Sequence, residues 1–166
     1  MRTTFTLLAI LIATFNIKAQ TQQSYPRTTG FISINNAIGT WNKDGFVSNF
    51  SKVYTVAFPF GVNILKSDKF GVSFEFVPSV RTENNIAKVS SVSFNPGAMF
   101  RFKHGFTFIG RMAFETSGRF GVTPVFNQVV KKGKDASMFV SVPFPIRFGN
   151  NLPASVGAAL QVGVLF

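Results

Sequence analysis

Six charged residues fall inside stretches that otherwise alternate between apolar and small side chains: Glu75, Arg81, Arg101, Arg111, Glu115 and Arg147. Carboxylates facing guanidiniums form directional ion pairs, and an unpaired charge is costly to bury. Glu75 and Arg111 each stand five residues beyond a Phe that opens an apolar run, Phe70 and Phe106. Glu115 stands nine beyond Phe106, and Arg147 nine beyond Met138. At about 3.3 Å per extended residue these make two layers, roughly 17 and 30 Å along their strands. The spacing predicts a lower Glu75–Arg111 pair and an upper Glu115–Arg147 pair, with Arg81 and Arg101 extending the network. Such pairs either fill and rigidify an interior or gate a path for ions or protons.

Other chemistry is sparse. His104 is the single His, in a Lys103-His104-Gly105 turn. A hydrolase would need it as a base beside a nucleophile, and the turn reads as solvated. One His and no Cys cannot build a zinc site, and no disulfide is possible. No metal, cofactor or catalytic residue is expected. Gly39-Thr40-Trp41 resembles the short Gly-x-Trp element of lipocalins, but it falls at a strand end. Trp41 reads instead as an interfacial or upper interior aromatic.

The elements that must carry these residues are strands. Of 166 residues, 22 are Phe and only 14% are charged, against about 25% in an ordinary soluble domain. Period-two alternation is clear. Tyr54, Val56, Phe58, Phe60, Val62 and Ile64 oppose Thr55, Ala57, Pro59, Gly61 and Asn63. Phe70, Val72, Phe74 and Phe76 oppose Gly71, Ser73 and Glu75. Val156, Ala158, Leu160, Val162, Val164 and Phe166 oppose Gly157, Ala159, Gln161 and Gly163. All six charges lie on the small, polar face, which suits a crowded barrel interior with the aromatic face toward lipid.

Polar turns at 42–45, 66–69, 82–85, 103–105, 117–119, 131–135 and 149–153 separate eight strands, the first about Thr29–Trp41. The predicted fold is all-β, an antiparallel up-and-down transmembrane β-barrel. Pro59, Pro96, Pro124, Pro143 and Pro145 stand against it, since proline removes a ladder donor; bulges can absorb some of them. A degenerate echo across 56–71, 92–110 and 140–157 leaves 120–130 as either a strand or a loop. An even strand count favours the strand.

The first residues read as an address. Arg2 precedes an apolar run, Phe5–Phe15, that is too short to span a bilayer, and Ala19 offers a small residue for cleavage. The domain plan is a signal peptide over 1–19, a short segment over 20–28 and the barrel over 29–166. Removing Arg2 and Lys18 leaves 15 basic against 6 acidic residues. The lysines sit in turns without aromatic interleaving, so nucleic acid is not an expected partner. Lys43, Lys52, Arg81, Lys88 and Arg119 are candidates for anionic lipid phosphates at a rim.

The chain ends in Phe166, with Val164, Val162 and Leu160 at alternate positions before it. Signal peptide, amphipathic strands and terminal Phe together resemble the small eight-stranded outer-membrane proteins, the OmpA- and OmpX-like barrels of Gram-negative bacteria. The resemblance implies an outer-membrane location with both termini periplasmic. Leu160, Val162, Val164 and Phe166 would then be read by the barrel-assembly machinery, after escort by periplasmic chaperones, and lipids and lipopolysaccharide would surround the barrel. It also implies an aromatic girdle at the periplasmic end from Phe70, Phe102, Phe106 and Phe166. The short loops and the absence of a following peptidoglycan-binding domain depart from adhesive or anchoring members. The reading that follows is a non-enzymatic envelope protein, with a narrow pore or a lipid-acting barrel enzyme as alternatives.

Overall fold

The computed structural model describes residues 24–51 and 53–166. The expected signal peptide, residues 20–23 of the following segment and Lys52 lie outside them. The described chain is a single antiparallel sheet of eleven strands: β1 (Arg27–Asn42), β2 (Gly45–Ser48), β3 (Val53–Ala57), β4 (Phe60–Leu65), β5 (Phe70–Glu83), β6 (Ile86–Arg101), β7 (Phe106–Glu115), β8 (Phe120–Lys132), β9 (Ser137–Pro143), β10 (Ile146–Phe148) and β11 (Ser155–Leu165).

The strands run as an antiparallel meander in which β3 and β4 each pair with β1 and β5, and β10 pairs with β8 and β11; β11 pairs with β1 from Phe31↔Leu165 to Trp41↔Val156, which closes the ring. Phe166 extends that seam, exchanging backbone hydrogen bonds of 2.7 and 2.9 Å with Gly30. Closure pairs the first strand with the last, removing the two long edges that an open sheet would have to manage, although β2 pairs with β1 on one side only among the described residues.

The strand count differs from the expected eight, and two of the three extra interruptions are at prolines. β3 and β4 are separated at Phe58-Pro59, and β9 and β10 at Phe144-Pro145. Proline cannot donate, but its carbonyl still accepts: Pro59 O takes Ser33 N at 2.8 Å and Pro145 O takes Gly157 N at 2.7 Å. The third break parts β2 from β3 near Asn49, whose side chain exchanges hydrogen bonds with the Thr55 backbone. Pro96 and Pro124 stay within β6 and β8. The 120–130 segment is a strand, β8.

The turns follow their residue types. Asn84 and Asn85 both have positive φ (50° and 62°) and join the Glu83↔Ile86 pair as a two-residue hairpin turn of the primed kind requires. His104 takes φ 61° in the 3-10 turn before β7.

Side chains alternate as the sequence predicts. Phe60, Phe76, Phe94, Phe114, Phe120 and Phe148 are cross-strand neighbours in one continuous register row across β4–β8 and β10, and all are exposed. A second row, Phe70, Phe100, Phe108 and Phe126, runs six residues away in β5 to β8. The separation is about 20 Å along the strands. Inside, Leu65, Met99, Ile109 and Val125 form an apolar cluster near the termini end. Beyond it the buried side chains include the polar Ser73, Glu75, Ser93, Asn95, Arg111 and Thr123 beside small Ala57, Ala113 and Ala159.

Candidate functional site

The interior charges are placed by strand parity and by one glycine. Glu75 on β5 and Arg111 on β7 are separated by β6, where Gly97 lies between Ser73 and Arg111 in the register. A Cβ on Gly97 would stand 2.7 Å from Arg111 Cγ. The missing side chain is the passage through which the guanidinium crosses. Arg111 Nη1 reaches Glu75 Oε1 at 3.0 Å, and Arg111 Nη2 donates to Ser73 Oγ at 3.2 Å. Asn95 Nδ2 donates to Glu75 Oε2 at 3.0 Å. Both charged side chains are only 5% exposed. The guanidinium also lies over the Phe31 ring, 5.7 Å from its centroid, a cation–π arrangement.

A second pair stands nearer the far end. Arg147 Nε donates to Glu115 Oε1 at 2.6 Å, with the two side chains 13% and 17% exposed. Ser117 Oγ donates to the other Glu115 oxygen at 2.9 Å, and Arg147 Nη1 donates to Thr123 Oγ1 at 2.9 Å. Both pairs expected from the sequence are therefore formed. They are closer together than strand-by-strand heights suggest. Glu115 is opposite Ser93 and Glu75 opposite Asn95, so the acids are two residues apart along β6. The stagger between tilted strands, invisible when each strand is measured from its own start, reduces the difference.

Two expected members are elsewhere. Arg81 pairs with Glu83 at 3.2 Å near the far end, where both side chains are about half exposed (51% and 54%). Arg101 lies at the termini end beside Tyr25, whose hydroxyl donates to Asp68. Both occupy ends of long strands, where the inward face opens to solvent and a charge needs no interior partner. The sequence reading put Arg119 at a lipid-facing rim, and the structure corrects this. Arg119 points inward, donating through Nη2 to Pro153 O at 2.9 Å, Ser155 Oγ at 3.1 Å and Arg147 O at 3.2 Å. The alternation of β8, carried one residue back from outward Phe120, was the available signal.

Trp41 is exposed, its ring tilted against that of Phe46 with 4.7 Å between centroids. Leu160, Val162 and Phe166 face outward and are exposed, and Phe70 and Phe102 are exposed at the termini end. Phe106 is half-buried, its ring 5.6 Å from that of Phe102.

The interior contains two cavities. One, of about 630 Å³, opens at the termini end; the other, of about 400 Å³, lies toward the far end and is lined by both ion pairs. Arg111 and Gln161 line both.

No family model and no curated protein matches the chain. Among solved structures it is similar to TMB2.3, a de novo designed protein determined by solution NMR. The TM-score is 0.53 at 14% identity, over 87% of this chain and 96% of that one. A chain described under de novo design of transmembrane β-barrels matches at TM-score 0.49 and 9% identity, covering 86% and 97%. At such identity the likeness to TMB2.3 is one of fold: a closed antiparallel β-barrel.

Proposed function

We propose that this chain is an integral outer-membrane β-barrel with a non-enzymatic, structural role in the envelope. The carrying observation is its inverted polarity. Rows of exposed Phe cover the outside, while Glu75 and Arg111 are buried within. A water-soluble barrel would place these groups the other way round. At the ~40° tilt of such strands the two rows stand roughly 15 Å apart along the barrel axis, so both lie within an apolar band of about 25 Å. The de novo designed TMB2.3, of similar fold, supports the barrel part of this reading. On this reading the breaks in β2–β4 and β9–β10 divide single staves. β3 and β4 share the place between β1 and β5, and β9 and β10 the place between β8 and β11. The ring then has eight staves, just wide enough for side chains to fill. The two ion pairs act as a plug, Leu160, Val162, Val164 and Phe166 serve as the assembly signal, and the termini face the periplasm. Surrounding lipids and lipopolysaccharide, with the assembly machinery and chaperones, are the partners.

The test is fractionation. The protein is expected in the outer membrane, with gel mobility that changes on heating. Recovery from a soluble periplasmic extract, with one mobility before and after heating, overturns the proposal. One observation favours a narrow pore as a second reading: the two cavities meet at Arg111 and Gln161. Conductance of the unaltered protein in a planar bilayer, altered by Arg111→Ala, would select the pore over the plug; a closed unaltered protein would keep the plug.

A further inference from the structure

The turns at the termini end are basic. Those over 66–69, 102–105 and 131–136 stand together there, because the meander returns to that end after β4, β6 and β8. Arg101 N donates to Lys69 O at 2.7 Å and Gln128 Nε2 to His104 O at 2.8 Å, which ties each turn to the next stave. They carry Lys66, Lys69, Lys103, Lys131, Lys132 and Lys134, all exposed. The acids in these turns are Asp68 and Asp135. The other acids are placed elsewhere: Glu75, Glu83 and Glu115 are held by arginines, and Asp44 lies in the far-end turn between β1 and β2. Residues 1–23 and Lys52, outside the described residues, contain no Asp or Glu. Were Asp68, Asp135 and a carboxylate at Phe166 all spent on these lysines, half of the lysine charge would still remain. The far rim is closer to balance, with Lys43, Arg81 and Lys88 against Asp44 and Glu83 among the described residues.

The lysines stand where the apolar outer face stops. Lys69 adjoins exposed Phe70, and Lys103 adjoins exposed Phe102. Lys131 is in register with exposed Met138 and so shares its outer face. Exposed Phe100 and Phe126 continue the aromatic row beside them. A lysine at such an edge lays its methylenes on apolar surface and holds its ammonium in the polar layer.

We infer, resting on the membrane reading above, that the termini-end rim is a docking surface for anionic phospholipid headgroups. The phosphates meet the turn lysines, and the acyl chains cover the Phe row beside them. This lipid contact lies at the opposite end from the rim residues that the sequence singled out. A soluble polyanion would meet the lysines and leave the Phe row uncovered, whereas a phospholipid takes both. The attraction of lysines for an anionic leaflet acts within a Debye length of the surface.

The protein is reconstituted in phosphatidylcholine vesicles with a trace of spin-labelled phosphatidylglycerol or spin-labelled phosphatidylcholine. Electron paramagnetic resonance reads the fraction of each that is immobilised against the barrel. Phosphatidylglycerol is expected to associate roughly three- to fivefold more strongly, the scale of one lysine at an anionic surface. The preference is expected to collapse as salt rises from about 0.1 M to about 1 M. Lys66→Gln, Lys69→Gln, Lys103→Gln and Lys131→Gln together are expected to at least halve it, while Lys43→Gln with Lys88→Gln leaves it unchanged. Equal association of the two lipids with the unaltered protein overturns the inference. So does a preference that survives the termini-end variant, or one that the far-rim variant removes equally. Displacement by millimolar inorganic phosphate at constant ionic strength marks a free-anion site and overturns it as well. If the termini-end variant fails to fold, the two lipids, the salt series and the far-rim variant still decide. A protein that inserts with a heat-sensitive gel band but shows no preference overturns only this inference. One that does not insert overturns the membrane reading, and this inference with it.

Discussion

The sharpest test of the interior is to remove Arg111 while keeping Glu75, and then to remove both charges. At 3.0 Å and an effective dielectric constant of about 20, the pair attracts by roughly 5–6 kcal/mol. Burying each ion costs several kcal/mol, so the pair is near break-even against an apolar replacement. The asymmetry lies in breaking it. Arg111→Met leaves Glu75 with Asn95 as its remaining hydrogen-bond donor in a site 4% exposed. The expected cost is about 3–5 kcal/mol. Arg111→Met combined with Glu75→Gln removes both charges, and is expected to recover more than half of that loss. Urea unfolding in lipid vesicles, followed by Trp41 fluorescence, measures all four corners of the cycle. Additive effects would refute the reasoning, because they would mean that cavity water already solvates each charge separately.

Four other outcomes are expected. Arg147→Ala should cost only about 1–3 kcal/mol in the same assay, since Glu115 is 17% exposed and keeps Ser117 as a donor. Gly121→Ala would put a Cβ 1.9 Å from the Ile146 carbonyl oxygen, parting β8 from β10, and should cost about 1–3 kcal/mol and raise amide exchange in β10. Tyr25 should ionise above its ordinary value, first because its hydroxyl donates to Asp68 and then through burial and the Asp68 charge. Its contribution to stability is complete below the ordinary tyrosine value and is lost as pH rises through the folded one; ultraviolet titration of the protein against Tyr25→Phe reads the shift, and Asp68→Asn should reduce it. Deleting Phe166 removes both backbone bonds to Gly30 and should slow assembly, as judged by the yield of the heat-sensitive gel band.

Facing was legible in the sequence because a strand has only two sides. Once Phe70, Phe74 and Phe76 are placed outside, Glu75 has nowhere to be but inside, and the same parity carries Arg111, Glu115 and Arg147. Partners were legible because few charges were available inside and each needed an opposite. Height was not legible. The register linking Glu115 to Ser93 and Glu75 to Asn95 is set by the stagger of closure, a property of the whole ring. Exposure at strand ends was equally hidden. Arg81 and Arg101 have the inward parity, but the wall ends beside them, and a residue's own sequence does not say where its neighbours stop. The breaks at Pro59 and Pro145 were foreshadowed by the prolines, whereas the one near Asn49 depends on a side-chain bridge to Thr55.

The placement of Gly97 ties these points together. A side chain there would occupy the path of Arg111, and without that path the guanidinium could not cross β6 to Glu75. The pair formed through this gap faces both cavities through Arg111. Charges of both signs line the far cavity, whereas among the described residues the charges lining the near one are cationic. Glu75 therefore does more than satisfy an arginine. By neutralising Arg111, it keeps an unpaired charge out of the wall that the two cavities share.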